Sequence, residues 1–547
     1  MKSRKRHKFI FVVGGVMSGV GKGVATSSIG TILQSKGFKI SLMKADPYLN
    51  VDAGTMNPVE HGEVFVLDSG LETDQDMGNY ERFLNRDLDN ADYMTSGMVY
   101  KSVIDKERAL KYGGRFVDAD HIREEIVERI EGGARLSKSD ITVVEIGGTI
   151  GDYQNVMFIE AARVIKRRHP YDVLFILVSY LPVPGSIGEM KSKPTQNAVK
   201  QLNAHGVQAD MIIARGPHPI DQKRKDKIAF TCNIEPENVI SAPDINSIYD
   251  VPINFERDGL SEKILKHFGL RPRHKDLVEW RKFISKAKSA KKKLDIAVVG
   301  KYFDTGDFVL SDAYVSVIEA VKFSSYWQGT KPKLEWINAK EYETGKRKVN
   351  ELKNFDGVIV PGGFGSNGVE GIISAIKFVR ENKIPYLGLC YGMQLAVIEY
   401  ARNVAKLKRA HTMEVDTNTP HPVVGIMNEQ KDKLARADYG GSMRLGSYPA
   451  VLRKGTLASK AYGSEKINER HRHRYEINPE YVDKLSVAGL VFSGVSPDGR
   501  LCEIAELPAN VHPFFVATQF HPEFKARPLS PHPLFSAFIK IVLKKKS

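Results

Sequence analysis

The clearest chemical signal in the sequence is a cysteine flanked by glycines, in Gly388-Leu389-Cys390-Tyr391-Gly392. An apolar run precedes this pattern and the helical stretch Met393 to Tyr400 follows it, as in a nucleophile elbow with cysteine in place of serine. The small residues permit a strained strand-to-helix turn that exposes the sulfur at a helix N-terminus, where a thiolate is favoured. Cys390 is therefore a candidate nucleophile, whereas Cys232 and Cys502 lack flanking glycines and fit buried structural cysteines.

A thiolate nucleophile needs a base, and the base needs an orienting group. The run Gln519-Phe520-His521-Pro522-Glu523 offers both, because its two-residue spacing can place His521 and Glu523 on one side of the chain. A glycine-rich run from Pro361 to Gly365 can supply an oxyanion-hole amide at Gly363, beside that of Tyr391. A Cys-His-Glu triad with such a loop suits acyl transfer from a small amide. Glutamine is the obvious donor, because its carboxamide releases ammonia.

A second candidate site is the loop from Gly14 to Gly23, which lies between a predicted strand and a predicted helix. Its amides can turn toward an anion, the helix N-terminus adds a partial positive charge, and Lys22 adds a full one. The loop departs from a regular Walker A motif at Val16, where Gly is usual, and at Gly23, where Ser or Thr would bind magnesium. A tight glycine-rich turn without a ligand is the alternative interpretation.

Magnesium would therefore need other oxygen ligands, and carboxylates together with phosphates suit it. Glu145 lies near the end of the predicted strand Ile141 to Ile146, and a carboxylate at that edge of a parallel sheet faces the ligand crevice. Asp76 lies in the acidic stretch Glu72 to Asp76, whose pattern predicts a loop. Each acid alone also fits a solvated side chain, but together with Lys22 they predict a magnesium site.

The elements that position these residues follow from alternating buried strands and helices, which predict an α/β fold with parallel sheets. The predicted elements of the N-terminal half are the helix Lys22 to Ser35 and the strands Phe9 to Val13, Lys39 to Lys44, Ile141 to Ile146, Asp172 to Ser179 and Met211 to Ala214. After the basic stretch Arg271 to Leu294, which reads as a solvated linker helix, strands recur at Leu294 to Gly300, Gly357 to Val360 and Pro385 to Leu389. We therefore predict two doubly wound domains, 1–270 and 294–547, joined by a basic linker, 271–293.

The composition limits the function classes. With 42% hydrophobic and 27% charged residues in 547, a wholly disordered chain is excluded. The net charge of +15 attracts nucleic acid or small phosphate-rich ligands alike. Three distant cysteines form no disulfide framework or zinc site and fit a reducing cytosol. No apolar run approaches the ~18 residues of a membrane span. The basic N-terminus is followed by a short apolar run that ends at Gly14-Gly15, so we interpret it as a tail before a strand rather than as a signal peptide.

Ten segments of this chain resemble the CTP synthase family, and the resemblance runs from Phe9 to about Phe538. The matching segments are GGVMSGVGKG, KADPY from Lys44, HGEVFV from His61, ETDQDMGNYERF from Glu72, VEIGGT from Val144, KSKPTQ from Lys191, PGGFG, GLCYGMQ, RHRHRYE from Arg470 and QFHPEF. KSKPTQ and RHRHRYE in one chain with the triad are highly specific. The family joins a P-loop-like amidoligase domain with a parallel sheet to a class I glutamine amidotransferase domain.

The resemblance implies roles for residues of the first domain. It implies ATP contacts at Gly19, Val20, Gly21, Lys22, Gly23, Val24, Asp76, Pro243, Asp244 and Ile245. It implies UTP or CTP contacts at Ser18, Lys191, Ser192, Lys193, Pro194, Thr195, Gln196, Lys227, Asp152, Tyr153 and Gln154. It places Asp76 and Glu145 on Mg2+ and Lys44 near the transferred phosphoryl group. The lysines at 191, 193 and 227 are the long-stemmed point charges that a triphosphate requires.

In the second domain the resemblance implies catalysis by Cys390, His521 and Glu523, and glutamine contacts at Gly363, Tyr391, Gly392, Met393, Gln394, Glu414 and Arg474. Glu414 can pair with the α-amino group of glutamine, and Arg474 can form a fork onto its α-carboxylate. Taken without the resemblance, the run His471 to Arg474 also fits a basic patch for nucleic acid or an exposed cluster.

Three positions depart from the common family pattern. Tyr153-Gln154 stands where Ile-Glu is frequent, so a carboxylate that reads feedback CTP has become an amide. Pro243 stands where Lys is usual in the adenine-side loop. The segment before Gly440-Gly441, which forms the lid associated with GTP activation, is shorter than in many relatives. The sequence leaves the strength of CTP inhibition and of GTP activation open.

The implied reaction is ATP-dependent amination of UTP to CTP with ammonia from glutamine, with Mg2+ accompanying ATP. The resemblance further implies CTP as feedback inhibitor, GTP as activator, a cytoplasmic homotetramer built as a dimer of dimers, and no nucleic-acid or membrane partner. A cobyrinate-type carboxamide synthetase is the nearest enzyme alternative, but its substrate is a carboxylate rather than a triphosphate. A nucleotide-binding switch or filament scaffold with an inactive glutaminase is the non-enzymatic alternative, and the intact triad argues against it.

Overall fold

The computed structural model describes residues 6–56, 61–185, 188–274, 277–301, 311–426 and 443–546. The chain divides into two compact units, of which the first comprises Met1–Ala53 and Asn79–Ile284 and the second comprises Gly54–Gly78 and Ser285–Ser547. The second unit therefore includes a short segment that the sequence places inside the first. The shortened lid before Gly440 lies outside the described residues. No helix in the described part of the chain is long and apolar enough to cross a membrane.

The described residues of the first unit form a seven-stranded parallel sheet. In spatial order its strands are Tyr93–Thr95, Ile40–Asp46, Ile141–Ile146, Lys8–Gly14, Val173–Tyr180, Met211–Gly216 and Val239–Pro243. Almost every residue of these strands is buried, which explains why they read as unbroken apolar runs. The predicted strands thus coincide with observed ones to within one or two residues at each end.

Helices connect these strands. The described α-helices from the start of the chain to the end of the linker are Lys22–Ser35, Gln75–Leu84, Ser96–Arg108, Ala119–Ser137, Val156–Arg168, Lys193–Ala204, Gln222–Cys232, Val251–Arg257, Leu260–His267 and Val278–Ser289. The predicted helix Lys22–Ser35 is observed with the same bounds. In the sheet, Lys44 lies directly opposite Glu145 in register, so the two side chains that the sequence separates by a hundred residues share one edge.

The basic linker differs from the expected solvated helix. Its helix Val278–Ser289 buries Trp280 and Phe283, while Lys282 and Lys286 are exposed. The Trp280 indole N–H donates to the Tyr249 carbonyl oxygen at 2.8 Å. The expectation was wrong on this face because three large apolar side chains follow a helical period inside an otherwise charged stretch.

The described residues of the second unit contain a nine-stranded sheet, parallel through its first five strands and antiparallel beyond. In spatial order its strands are Thr330–Asn338, Lys292–Gly300, Gly357–Val360, Tyr386–Leu389, Phe515–Thr518, Cys502–Glu506, Val491–Val495, Arg444–Leu452 and Lys466–His473. Two small sheets accompany it, one of His411–Thr412, Pro422–Ile426 and Tyr475–Ile477 and the other of Phe65–Val66 and Glu72–Thr73. The described α-helices that follow the linker are Val315–Trp327, Ala339–Glu343, Val369–Glu381, Tyr391–Asn403, Leu457–Tyr462, Val482–Val487 and Pro533–Lys546.

The turn between Tyr386–Leu389 and Tyr391–Asn403 has the form of a nucleophile elbow. Cys390 occupies it with φ 49° and ψ −97°, a strained backbone for a residue with a side chain. A Cβ atom at Gly392 would lie 2.4 Å from the Val360 carbonyl oxygen, so this helix can approach the neighbouring strand only with glycine there. The glycine spacing in the sequence thus has a steric cause.

We expect Gly392→Ala to destabilise the second unit by about 1–3 kcal/mol, the usual penalty of overpacking, because the contacted atom is rigid backbone. Urea unfolding monitored by circular dichroism measures the change. Gly425→Ala is the matched control, since a Cβ there would meet only the Met413 sulfur at an ordinary 3.4 Å. Equal unfolding midpoints for the two variants would contradict the steric account.

Candidate active sites

Cys390 lies at the N-terminus of the helix Tyr391–Asn403, and the residue is 5% exposed. Its backbone N–H donates to the Thr518 carbonyl oxygen at 2.7 Å, which ties the turn to the neighbouring strand. The sulfur lies 3.8 Å from the Arg472 carbonyl oxygen and 3.8 Å from the Gln519 side-chain nitrogen. Backbone and side-chain contacts from two distant segments therefore fix the position of the candidate nucleophile.

His521 and Glu523 form the pair that the sequence predicts, with 2.7 Å between His521 Nδ1 and Glu523 Oε1. They lie at the start of a 3-10 helix, Pro522–Lys525, and both are buried. Burial lowers the pKa of His521, but the Glu523 carboxylate and the Cys390 sulfur raise it, with a net value of about 10. The imidazole is thus protonated at neutral pH and can donate a proton to a leaving group.

Close packing holds this imidazole in place. A Cβ atom at Gly362 would lie 2.8 Å from His521 Cε1, so the ring rests against bare backbone of the glycine-rich loop. On its other side the His521 ring stacks on Phe524 with 5.0 Å between ring centroids. The loop Pro361 to Gly365 therefore approaches the triad directly, as expected for a source of oxyanion-hole amides.

A lysine that the sequence interpretation missed anchors the same loop. Lys301 Nζ donates to the carbonyl oxygens of Phe364, at 3.2 Å, and Gly365. It also lies 3.1 Å from the Tyr391 hydroxyl oxygen and 4.2 Å from the centroid of that ring. Burial lowers the pKa of Lys301 to about 8, with Glu414 opposing the shift. Only its place directly after the strand Lys292–Gly300 could have marked Lys301 in the sequence.

The residues expected to hold glutamine meet around Gly365. Glu414 Oε1 accepts from the Gly365 N–H at 2.8 Å, and the Tyr391 hydroxyl donates to the Gly365 carbonyl oxygen at 2.8 Å. Burial raises the pKa of Glu414, while the Gly365 N–H and the charges of Lys301 and Arg474 lower it. The Glu414 carboxylate and the Arg474 guanidinium thus lie near enough to influence each other, an arrangement that suits recognition of an amino acid.

The remaining predicted glutamine contacts differ in their exposure. Met393 is fully buried in the core, so its side chain is not available to a ligand. Gln394 is also buried, and its side-chain nitrogen donates to the Tyr475 carbonyl oxygen at 2.9 Å, directly after Arg474 in the chain. Gly363 is partly exposed at the open side of the loop.

The histidines before Arg474 are not an exposed basic patch. Arg470, His471 and His473 are buried, and His471 Nε2 lies 2.7 Å from Glu503 Oε2. Burial lowers the pKa of His473 well below its usual value. The interpretation of this run as a nucleic-acid surface is therefore wrong, because both of its histidines are buried and His471 is paired with an internal carboxylate.

In the first unit, Lys22 begins the helix Lys22–Ser35 and its Nζ donates to the Gly148 carbonyl oxygen at 2.6 Å. Gly21 caps the helix with φ 81° in the left-handed region. Ser18 and Gly19 lie exposed at the tip of the loop, and Gly23 is buried behind it. The phosphate loop therefore has the strand–loop–helix context that the sequence predicts.

Glu145 is buried at the carboxyl edge of the sheet and both of its oxygens are held. Lys44 Nζ lies 3.0 Å from Glu145 Oε1, and the Tyr80 hydroxyl donates to Glu145 Oε2. Asp46 Oδ1 lies 3.6 Å from the same lysine nitrogen. Mg2+ is usually held by one or two carboxylates plus substrate phosphates, and no group of three His, Cys, Asp or Glu in the described ranges could hold a metal. The oxygen chemistry of Glu145 fits that mode of binding.

Asp76 does not lie in a loop as expected. It lies in the first turn of the helix Gln75–Leu84, where its backbone N–H donates to Asp74 Oδ1 at 3.0 Å. Only the end of the acidic stretch is helical, and an acid such as Asp76 is favoured there by the positive end of the helix dipole. Asp76 belongs to the segment that packs with the second unit.

A cavity of about 340 Å³ adjoins the phosphate loop and brings together five of the predicted ATP contacts, which are Gly21, Val24, Pro243, Asp244 and Ile245. Apolar side chains such as Ile213 and Phe255 line it. Its volume is at the small end of the ~300–1,000 Å³ of ligand pockets, so it suits a flat base.

Arg215 lines this cavity and was not predicted. It donates to the Val20 carbonyl oxygen at 3.1 Å and to Asp244 Oδ1 at 2.5 Å. A Cβ at Gly21 would lie 2.7 Å from its guanidinium. Arg215 therefore ties the phosphate loop to the loop Pro243 to Ile245, a link that only the order of strands in the sheet creates.

Five of the expected UTP contacts lie on the two helices Lys193–Ala204 and Gln222–Cys232, and Lys191 and Ser192 lie just before the first of them. Lys191 Nζ lies 2.7 Å from Glu189 Oε2, and this contact, with weaker help from Lys227 and Arg224, lowers the pKa of Glu189. Lys193 is exposed at the start of the helix Lys193–Ala204.

The other members of this set differ in exposure. Thr195 is buried and its hydroxyl lies 2.9 Å from that of Ser179, while Ser192, Pro194 and Gln196 are partly exposed. Asp152 caps a turn by accepting from the Thr149 N–H at 2.5 Å. The next two residues, Tyr153 and Gln154, project outward, with Tyr153 92% exposed.

Two family models match the chain. The model described as CTP synthase N-terminus matches residues 8–270, and the model described as Glutamine amidotransferase class-I matches residues 309–541. Among solved structures, the glutaminase domain of a Trypanosoma brucei CTPS with bound acivicin is 35% identical, with a TM-score of 0.42 over 46% of this chain and 94% of that chain.

Curated relatives extend the likeness over the full length. The CTP synthases of Caldanaerobacter subterraneus and Thermococcus gammatolerans are each 48% identical to this chain, over 98% of it and 99% of each relative. That of Methanocaldococcus jannaschii is 47% identical over the same shares. Given this identity along the whole chain, and with a synthetase sheet and a glutaminase elbow in one polypeptide, the chain belongs to the CTP synthase family of glutamine-hydrolysing ligases.

Proposed function

We propose that this protein makes CTP by phosphorylating the O4 of UTP with ATP and then displacing that phosphate with ammonia released from glutamine. The observation that carries the proposal is the His521–Glu523 pair beside Cys390, in the same chain as a buried lysine–carboxylate site at a phosphate loop. A glutaminase triad alone would release ammonia without using it, and a phosphate-binding site alone would not need the triad, so the two together support a reaction that consumes the ammonia.

In the proposed glutaminase reaction, the Cys390 sulfur attacks the side-chain carboxamide of glutamine. Backbone N–H groups of Gly363 and Tyr391 stabilise the negative oxygen of the tetrahedral intermediate. His521 gives its proton to the departing nitrogen, so ammonia leaves and a glutamyl thioester remains. Water then hydrolyses the thioester, which restores the thiol and releases glutamate. Glu414 and Arg474 hold the amino and carboxylate groups of glutamine during both steps.

In the proposed synthetase reaction, the γ-phosphoryl group of ATP moves to the O4 of UTP. Lys22 and Lys44 neutralise charge on the transferring group, and phosphoryl transfer depends largely on such positioning. Mg2+ held by Glu145 and Asp76 would supply further neutralisation of the phosphates. Lys191, Lys193 and Lys227 hold the UTP triphosphate, and the cavity lined by Pro243, Asp244 and Ile245 takes adenine. Ammonia replaces the phosphate at C4, which yields CTP.

The family likeness extends the proposal to assembly and control. We propose a cytoplasmic homotetramer in which Ser18 and the stretch Lys191 to Gln196 meet residues of a neighbouring subunit. CTP acts as a feedback inhibitor at the turn Asp152 to Gln154, and GTP acts as an activator. The high net charge opposes association of like copies unless anions neutralise it, so bound nucleotides shift the protein toward the tetramer. Light scattering with and without ATP and UTP tests this.

Cys390→Ala should abolish CTP formation from glutamine and leave CTP formation from added ammonium, because the sulfur serves only ammonia release. The assay contains UTP, ATP and Mg2+ with either nitrogen source, and CTP is quantified by chromatography. Cys502→Ala, a change at a buried cysteine of the same unit, should retain both activities. If Cys390→Ala also loses the ammonia-dependent reaction while its circular dichroism is unchanged, the division of labour between the units is wrong.

Lys22→Ala and Glu145→Gln should each have the opposite effect to Cys390→Ala, with loss of CTP synthesis and retention of glutamine hydrolysis. We expect CTP synthesis to fall ~100-fold or more with both nitrogen sources, as when one preorganised charge contact is removed, while basal glutamine hydrolysis persists. Lys286→Ala, an exposed lysine of the linker helix, provides the control for loss of a positive charge. Unimpaired synthesis by either variant would refute the assigned roles.

The high pKa of His521 predicts how activity responds to pH. Since that pKa lies near 10 rather than 6.5, the imidazolium needed to protonate the departing nitrogen persists through neutral pH and is lost only in strong alkali. Glu523→Gln removes the carboxylate that raises the pKa, and burial then lowers it. We expect kcat for glutamine hydrolysis to fall ~10²–10⁴-fold, by analogy with triads whose acid is amidated, and the remaining activity to decline at lower pH than in the wild type. An unchanged alkaline limb in the pH–rate profile would contradict this role of Glu523.

A further inference from the structure

The segment of residues 61–78 has an unexpected place in the fold. The family model for the synthetase half includes it, since that match runs over residues 8–270, yet it packs as part of the second compact unit. It forms a small antiparallel ladder between Phe65–Val66 and Glu72–Thr73. The 61–78 segment therefore contributes side chains to the unit that carries the glutaminase triad.

Two carboxylates of the 61–78 segment bind neighbouring arginines of the strand Lys466–His473. Asp68 accepts from Arg470 Nε, and Glu72 Oε1 accepts from Arg472 Nε at 2.7 Å. Arg470 is 0% exposed and also donates to the Val66 carbonyl oxygen at 3.1 Å. A buried guanidinium requires such partners, because an uncompensated charge inside a protein is strongly destabilising.

The main chain of the same two arginines contacts the triad. The Arg470 carbonyl oxygen accepts from the His521 backbone N–H at 2.8 Å. The Arg472 carbonyl oxygen lies 3.8 Å from the Cys390 sulfur. The side chain of each arginine is thus held by the 61–78 segment. The carbonyl group of Arg470 contacts His521, and that of Arg472 contacts Cys390.

The 61–78 segment is firmly fixed in this position. The Ser447 N–H donates to the Asp68 carbonyl oxygen at 2.8 Å, and Lys525 Nζ lies 3.2 Å from Asp68 Oδ2. A Cβ atom at Gly446 would lie 2.5 Å from the Gly70 nitrogen, so the backbone of the 61–78 segment is in contact with the backbone at Gly446. Because backbone contacts and ion pairs hold the 61–78 segment independently of the two arginines, the segment can fix the position of the strand Lys466–His473.

We propose that Asp68 and Glu72 are positioning residues of the glutaminase site, which act through Arg470 and Arg472 to fix the carbonyl groups that contact His521 and Cys390. This inference rests on the glutaminase half of the proposed function and adds to it two residues of the synthetase half of the sequence. Glu72 is the more direct of the two, since its partner Arg472 presents the carbonyl group nearest the nucleophile. Glutamine hydrolysis therefore depends on a stretch of chain outside the class I match, which begins at residue 309.

The decisive variant is Glu72→Gln, which keeps the size of the side chain and removes its charge. We expect kcat for glutamine hydrolysis to fall about 10- to 100-fold, the effect of losing one charged hydrogen-bond partner, with KM for glutamine little changed because Glu414 and Arg474 are untouched. CTP formation from ammonium should remain. The rate at which iodoacetamide alkylates Cys390, located by peptide mass spectrometry, should change as well, which a merely structural role would not produce.

Two further variants keep the test decisive. Ser69→Ala alters the exposed turn of the same segment and should leave all three measurements at wild-type values. Arg472→Met combined with Glu72→Gln should lose no more activity than either single variant, because both remove one pair. Additive losses, wild-type hydrolysis in Glu72→Gln, or an equal loss of the ammonium-dependent reaction would each overturn the inference. Hydrolysis that survives in Cys390→Ala would instead refute the proposed function itself, so the two failures are distinguishable.

Discussion

A buried carboxylate that keeps a buried imidazole charged is the interaction on which the glutaminase unit depends. Removal from water favours the neutral ring, and only the Glu523 oxygen 2.7 Å from the His521 ring, together with the neighbouring sulfur, reverses that preference. A pair of this kind tolerates little displacement, because each partner alone would be an uncompensated charge. The close contacts of His521 with Gly362, Phe524 and the Arg470 carbonyl group limit such displacement.

The synthetase unit must hold positive rather than negative side chains in place. Its ligands are polyanions, so the lysines that bind them must keep their positions before the ligand arrives. Lys44 is held by Glu145 and Lys22 by a carbonyl oxygen, both buried at the edge of the sheet. Internal pairing of this kind keeps cations in place at modest cost, and an incoming phosphate can then exchange with weaker partners.

One strand connects most of the functional groups of the second unit. Along Lys466–His473 the side chains alternate, with Arg470 and Arg472 directed at the 61–78 segment and His471 and His473 buried on the other face. Both faces carry ionisable groups and the backbone between them contacts the triad. A run that resembles a basic surface in the sequence is in fact an internal scaffold, because Arg470 and Arg472 pair with carboxylates and both histidines are buried.

The sequence by itself determined the features that depend on neighbours in the chain. The glycines around Cys390 predict the elbow, apolar runs predict the strands, and the helix Lys22–Ser35 has the predicted bounds. These succeed because turn sterics and burial periodicity act over a few residues.

Only the tertiary structure decided which distant charges meet. The contact of Lys301 with the loop Pro361 to Gly365 and the contacts of Arg215 with Val20 and Asp244 have no local signature. The same holds for the pairs that Asp68 and Glu72 form with arginines some 400 positions away. The helical rather than looped state of Asp76 likewise follows from its packing and cap. A charged side chain needs a counter-charge when it is buried, but nothing in its own sequence neighbourhood specifies where along the chain that counter-charge lies.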